Sequence, residues 1–368
     1  MKKVLLFNLL GNVEPIIVGD FEIHSFNYND FFSGKERRSL NSFLTWGLNG
    51  YNVKRSITSN ALWVDELYRE RNPIYMEMMD DFVSKFEDFD VLVMSSFNFV
   101  HPDVLSQRLK TPIKVLGFID DPYSTYSRGI AYLWAFDATF YISPSYFNNI
   151  SMEESLSTWS GGKPTTWWPL VPRPHIKADV TNDEFFSNRK TSLCYIGNHN
   201  GNKVDKLIAL KSEFKDEFKL HGRWPMGGYS GLIRALDGKR PLLHRVTPIS
   251  DESRRNIYWD TKIGFNMHVS NEAFETGNMR MYEVPAHGAM LLCDKANLNL
   301  HEQIFKPGVE AIYYDNLDEA IDMVSYFLKP ENNAQRSEIA KQGFNRFWQE
   351  YEWERNLLRF LDWTLTVK

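Results

Sequence analysis

Short apolar runs alternate along this chain with segments whose apolar positions recur every three or four residues. The runs Lys3 to Leu9, Tyr51 to Ile57, Val91 to Ser96, Ile113 to Ile119, Ala138 to Ile142 and Thr165 to Leu170 predict strands of one sheet. Ser192 to Ile196, Phe218 to His221, Lys262 to His268, Ala289 to Cys293 and Ala311 to Tyr313 predict a second. Strands alternating with helical patterns indicate α/β architecture with parallel sheets. Between the two series, Pro169 to His175 holds three prolines, and the chain stays polar as far as Lys190. Proline disfavours helix both at its own position and at the residue before it, so an extended connection is expected there. The expected domains are therefore 1–175 and 190–345, the C-terminal helix of about 346–368 adding to the first.

Further on, Leu317, Ala320, Ile321, Val324 and Leu328 share one helical face, Asn316 and Glu319 resemble a capping box, and the helix should end before Pro330. Phe344, Phe347, Tyr351, Leu358, Leu361 and Leu365 form one stripe. It predicts a long terminal helix packed on an apolar surface.

A length of 368 residues fits two domains, and 43% hydrophobic with 24% charged residues excludes a disordered chain. Only two cysteines occur, Cys194 and Cys293, each in an apolar run, which excludes a disulfide-stapled module and favours a reducing, cytoplasmic setting. Met1 to Leu10 resembles a signal peptide only briefly. Asn12, Glu14 and Pro15 follow, and the run is far below the roughly 18 residues of a membrane span, so a first strand and no membrane span are expected. The net charge of −5 argues against nonspecific coating of nucleic acid. Positive charge is nevertheless concentrated, in Lys35, Arg37, Arg38, Lys54 and Arg55 against Glu36, and again between Lys219 and Arg255.

No G-x-G-x-x-G follows the first strand, and no Walker lysine motif, H-E-x-x-H, paired C-x-x-C or G-x-S-x-G is present. Dehydrogenase, P-loop, zinc and α/β-hydrolase readings lose their footing. The informative stretch runs from Ile263 to Asp294. A strand ends near His268, a loop carries Glu275 and Gly277, and a short helix starts near Asn278 and runs to Gly288, with Pro285 expected to kink it. A helix N-terminus with unpaired N–H groups suits a phosphate, and Gly277 allows close approach to the backbone. Glu283, along the helix, can accept hydrogen bonds from ribose hydroxyls. Glu275 would face the group beyond the phosphates.

Glu275 and Glu283 are separated by seven residues and followed by Ala-x-Gly, which resembles the E-x7-E element of GT-B glycosyltransferases that use nucleotide-sugar donors. The words from Asn278 through Arg280 and Glu283 to Gly288 resemble the spore maturation protein CgeB-like group. So do Phe305 to Glu310, Asp318-Glu319, Tyr326-Phe-Leu and Ile339 to Gly343, and upstream Phe118-Ile-Asp120-Asp121-Pro122. The resemblance covers about 113 to 360 and is strongest over 260 to 345. The Thr-Gly after Glu275 departs from the commoner Phe-Gly.

The resemblance implies two Rossmann-like domains facing across a cleft, with the C-terminal helix crossing back to the N-terminal domain. It also implies transfer of a sugar from a nucleotide diphosphate sugar, UDP-linked, to a hydroxyl acceptor, with a lean toward retention and no obligatory metal. Gly197 and Lys203 stand at the first strand-to-helix turn of the expected donor domain, where a cation can meet the diphosphate together with Arg280. Asp120 and Asp121 follow a buried run, at the strand end where open α/β sheets hold ligands, and either can orient or deprotonate an acceptor hydroxyl; a turn or cap role is the alternative. His101 and His268 read as structural histidines before site residues. The acceptor is a glycan or small molecule by default. Duplex DNA is the alternative, for which Lys35, Arg37 and Arg38 would supply acceptor-side charge. A noncatalytic sugar-nucleotide-binding protein on the same scaffold is the remaining reading.

Overall fold

The computed structural model describes residues 1–7, 9, 15–26, 65–95, 100–119, 126, 129–173, 183–198, 201–222, 236, 246, 248–268 and 275–367. The expected strand Tyr51 to Ile57 and the candidates Lys35, Arg37, Arg38, Asp120 and Asp121 lie outside the described residues. The chain forms two compact units. One comprises Met1–Ile142, Tyr146–Trp168 and Leu357–Lys368, and the other Ser143–Ser145 and Pro169–Asn356.

In the first unit the strands are β1 (Lys2–Phe7), β2 (Ile16–Val18), β3 (Phe21–Phe26), β4 (Val91–Ser95), β5 (Ile113–Phe118), β6 (Ala138–Tyr141), a small ribbon of β7 (Tyr146–Phe147) and β8 (Ile150–Ser151), and β9 (Thr165–Trp167). The sheet order is β2-β3-β1-β4-β5-β6-β9, parallel except for β2 against β3. The sequence reading missed β2 and β3. Glu22, His24 and Ser25 interrupt the apolar run, but Phe21 and Ile23 alternate inward, the mark of a strand with one wet face, and Gly19-Asp20 makes the two-residue connection.

Helix α1 (Pro73–Phe86) starts where the Asn72 side chain accepts from Ile74 N and Tyr75 N, with proline at its first position. Its Tyr75, Met78, Met79, Phe82 and Phe86 share one core with Leu5, Phe7, Leu92 and Met94.

The second unit carries β10 (Thr191–Ile196), β11 (Phe218–His221), β12 (Thr261–Asn266), β13 (Met290–Asp294) and β14 (Ile312–Tyr314), all parallel, in the order β11-β10-β12-β13-β14. Leu193, Tyr195, Phe265, Met290 and Leu292 pack with Val204, Leu207 and Ile208 of helix α2 (Gly201–Phe214). The strand order reverses between β10 and β12, and their carboxyl ends form the crevice where such sheets hold ligands. Two parallel α/β sheets bear out the expected fold class.

Helix α3 (Asp251–Trp259) precedes β12 and helix α4 (Met279–Ala286) follows it. Helix α5 (Leu317–Leu328) begins as expected, its Asn316 side chain accepting from Glu319 N at 3.0 Å, while the Glu319 carboxylate reaches Asp315 N at 2.6 Å.

The terminal segment corrects its expectation. Helix α6 (Asn333–Arg346) runs into a widened turn, Phe347–Tyr351; Glu352 is extended, and helix α7 (Trp353–Thr364) restarts after it. The Glu352 carboxylate caps the restart by accepting from Glu354 N and Arg355 N. That break resets the helical phase, so Leu357, Phe360 and Leu361 are buried while Leu365 is 41% exposed. As expected of the crossing helix, residues from Leu357 onward belong to the first unit. Phe360 lies flat on Trp168 with centroids 3.9 Å apart and meets the Phe140 ring edgewise. Phe360→Ala is expected to cost about 3–5 kcal/mol, measured as a lowered urea midpoint.

Among the described residues, no helix is long and apolar enough to cross a membrane. Both cysteines are buried free thiols.

Candidate functional site

Helix α4 is seated by its neighbours before any chemistry is considered. Asn278 caps it, its side chain accepting from Met281 N at 3.3 Å. Val284 presses on Gly264 of β12, where a Cβ would meet Val284 Cγ1 at 2.4 Å, so the helix lies flush on the strand. Pro285 stands in the last turn, and the helix ends one residue later. Arg280 and Glu283 are three residues apart and therefore share a face.

That face opens on a cavity of about 270 Å³ lined by Ile196, Gly197, Gly222, Pro248, Arg254, Arg280 and Glu283 among others. Arg280 spans the switch point of the sheet, its Nε donating to Ile196 O at 2.7 Å and its Nη1 to Asn266 Oδ1 at 2.7 Å, one partner on β10 and the other on β12. The guanidinium also lies 4.2 Å from the centroid of the Tyr195 ring. Gly197 makes this possible, since a Cβ there would stand 2.3 Å from Arg280 Nη2. Burial opposes the guanidinium's charge, but its neighbours, Tyr195 and Glu283 among them, outweigh it and hold its pKa above the ordinary value.

Glu283 is 5% exposed, and burial raises its carboxyl while Arg254 and Arg280 pull it back down. Arg254 Nε lies 2.9 Å from Glu283 Oε1. Among the described residues its N–H makes no hydrogen bond, so the contact is one of charge without alignment.

Lys203, in the first turn of α2, is buried. Burial lowers its ammonium to about 8, Arg280 pushes the same way, and Asp294 and Glu275 push back. Two cations that disfavour each other beside a cavity are relieved by a bound anion. Glu275 bridges to Ser145 in a single β-type pair, and Thr276 N donates to Pro144 O. Gly277 follows with φ +88°.

The structure thus brings Gly197, Arg280 and Glu283 onto one cavity. Lys203, Glu275, Gly277 and Asn278 stand in the surrounding turns, outside its lining.

The sequence reading missed Arg254, a half-buried side chain in a charged stretch with no local sign of its partner. It also missed Arg189. This buried side chain donates to Phe185 O, Tyr258 O, Thr261 O and His287 O, tying the end of α3, the start of β12 and the C-cap of α4 into one clasp. The signal available was an arginine beside the first strand of the unit, and nothing local separated it from linker charge.

His268 donates from Nδ1 to Asp294 Oδ1 at 2.8 Å, which leaves Nε2 to accept from Asn278 N at 3.4 Å. Burial raises the Asp294 carboxyl, yet its contacts with His268 outweigh that and hold it below the ordinary value. The histidine therefore anchors the loop ahead of α4.

Among the described residues, His268, Cys293 and Asp294 are the group with metal-competent atoms. Their donor chemistry is that of a hydrogen-bond network: the thiol accepts from Asn266 Nδ2 and donates to Asp294, and burial pushes it well above its ordinary value.

Residues 204–362 match the family model described as glycosyl transferase-like. No curated protein matches by sequence. Among solved structures, the sucrose-phosphate synthase of Thermosynechococcus elongatus aligns over 100% of this chain and 99% of its own, with TM-score 0.61 and 11% identity. HepE of Anabaena, in complex with UDP and glucose, aligns over 100% of both chains at TM-score 0.57 and 9% identity. An alpha-glucosyltransferase in complex with UDP-glucose and abasic DNA aligns over 78% of this chain and 83% of its own, at TM-score 0.57 and 12% identity. TarM aligns over 79% of this chain at TM-score 0.53 and 8% identity, and the chain spans 57% of its length. At these identities the likeness is one of fold, and the fold is GT-B.

Proposed function

We propose, from a GT-B scaffold whose residues 204–362 are glycosyl transferase-like, that this protein transfers a sugar from a nucleotide diphosphate sugar, UDP-linked, to a hydroxyl acceptor. The carrying observation is the convergence of Arg280 and Glu283 on one cavity at the carboxyl end of the second sheet. Glu283 accepts from the ribose hydroxyls. Arg280 and Lys203 neutralise the departing diphosphate, with the backbone at Gly197, Gly277 and Asn278 alongside, and Glu275 serves the donor sugar.

On the acceptor side, Asp120 or Asp121 orients or deprotonates the hydroxyl. The E-x7-E spacing leans toward retention of the anomeric configuration, and its surrounding words support membership of the CgeB-like group. The donor function belongs to the second unit and the acceptor function to the first.

The test is release of nucleoside diphosphate from a panel of nucleotide sugars. Glu283→Ala should lower UDP affinity about 10- to 150-fold, or roughly 1.5–3 kcal/mol, because the ribose loses a charge-assisted acceptor. Unchanged affinity by calorimetry rejects the assignment. Binding of the donor without turnover on any acceptor favours a noncatalytic sugar-nucleotide-binding role.

The acceptor is a glycan or small molecule. Duplex DNA is the second reading, supported by Lys35, Arg37 and Arg38 and by the fold likeness to an alpha-glucosyltransferase solved with DNA. Absence of any salt-dependent gel shift at low ionic strength rejects it.

A further inference from the structure

We infer that Arg254 is a positioning residue that supplies the counter-charge keeping Glu283 a carboxylate aimed at the cavity, so that a ligand's sugar hydroxyls always meet an acceptor. The identity of that ligand rests on the nucleotide reading above; the ion pair does not.

A carboxyl as buried as Glu283 prefers to hold its proton unless a cation stands close. The groups facing it come from three elements. From α3 come Arg254, Asp251 and Tyr258; from its own helix, Arg280; from β10, Cys194. Burial pushes the Tyr258 hydroxyl well above its ordinary value and the Cys194 thiol to about 12, so both are neutral. Asp251 opposes ionisation of Glu283 and pairs with Arg254 at 3.2 Å. The His287 imidazole, which donates from Nδ1 to Glu283 O, is lowered by burial to about 4 and is also neutral.

Two cations remain. Arg280 spends Nε and Nη1 on Ile196 O and Asn266. Arg254 is the one in contact, at 2.9 Å. Among the described residues the Glu283 carboxylate receives no hydrogen bond, so its lone pairs stay open to hydroxyl donors while Arg254 holds the charge. Arg254 also lines the cavity, on the helix that faces α4 across it.

A carboxyl whose pKa is raised in the fold contributes stability at low pH that is lost as pH climbs through the folded value, because the unfolded chain ionises it freely. Removing Arg254 raises that value further. The melting-temperature gap between wild type and Arg254→Met should therefore be small at about pH 5.5 and widen by about 3–6 °C at about pH 8. Arg254→Lys should close most of it. In a Glu283→Gln background the gap should stop depending on pH. With UDP as probe, the variant's affinity relative to wild type should be lower at about pH 5.5 than at about pH 8, as the protonated carboxyl stops accepting.

A gap that does not change with pH, or that keeps its pH dependence with Glu283→Gln, overturns the assignment. Should Arg254→Met fail to fold, a ¹³C titration of the wild-type Glu283 carboxyl decides: ionised over this range supports the assignment, protonated rejects it. If wild type binds no UDP while the gap still widens with pH, the ion pair stands and the nucleotide reading falls.

Discussion

On the proposed function, Arg280→Ala should cut sugar transfer by about 10²- to 10³-fold while weakening UDP binding much less, because a cation beside a leaving diphosphate would gain most as charge develops there. The geometry sets the size of the effect. The guanidinium is fixed at two nitrogens by Ile196 O and Asn266 Oδ1 and is stacked on Tyr195, so its charge needs no reorganisation during the reaction. The same contacts give the substitution a structural cost, since it strips a partner from Ile196 O and Asn266, at about 1–3 kcal/mol per group left buried and unpaired.

Measuring kcat, UDP affinity and melting temperature together separates the two roles. Arg280→Lys is the informative control. Its single ammonium keeps the charge but cannot hold both partners and face an anion at once, so stability and turnover should both be intermediate. Equal loss of turnover and UDP affinity in Arg280→Ala would mean simple ground-state binding.

Arg189→Met should destabilise the second unit by about 3–5 kcal/mol, since it leaves up to four carbonyls without their donor and each buried orphan costs about 1–3 kcal/mol. The site should suffer beyond the loss of stability. Arg189 joins Tyr258 at the end of α3 to His287 at the C-cap of α4, and those helices carry Arg254 and Glu283. Urea unfolding measures the first effect. UDP affinity at a temperature where the variant remains folded measures the second, and normal affinity there would make Arg189 a purely structural clasp. Arg189→Lys, with one ammonium for four carbonyls, should recover only part of the stability.

Much of this was legible in the chain. Parallel strands buried by their covering helices announce themselves as apolar runs, and Asn278, Arg280 and Glu283 can be assigned to the start and one face of a helix by spacing alone. The convergence of Arg280 and Glu283 on a cavity follows from helical period plus the position of that helix after a strand end.

The hairpin of β2 and β3 was harder, since one wet face puts Glu22 and His24 inside a strand. The break at Glu352 was hidden for another reason. A glutamate within an amphipathic pattern looks helical until the chain finds surfaces on both sides of it to bury.

Charge was the least readable property. Arg189, Arg254 and the basic residues Lys35, Arg37 and Arg38 look alike as sequence, because a charged side chain declares nothing locally about whether water or protein will surround it. Glu283 lies 29 residues from Arg254, and the Arg189 clasp reaches 98 residues to His287. The sequence determined the strands, the turn chemistry and the face of α4, all set by neighbours within a few residues. Only the tertiary structure decided which charges lost their water and which partner replaced it, because desolvation depends on elements that meet after long stretches of intervening chain.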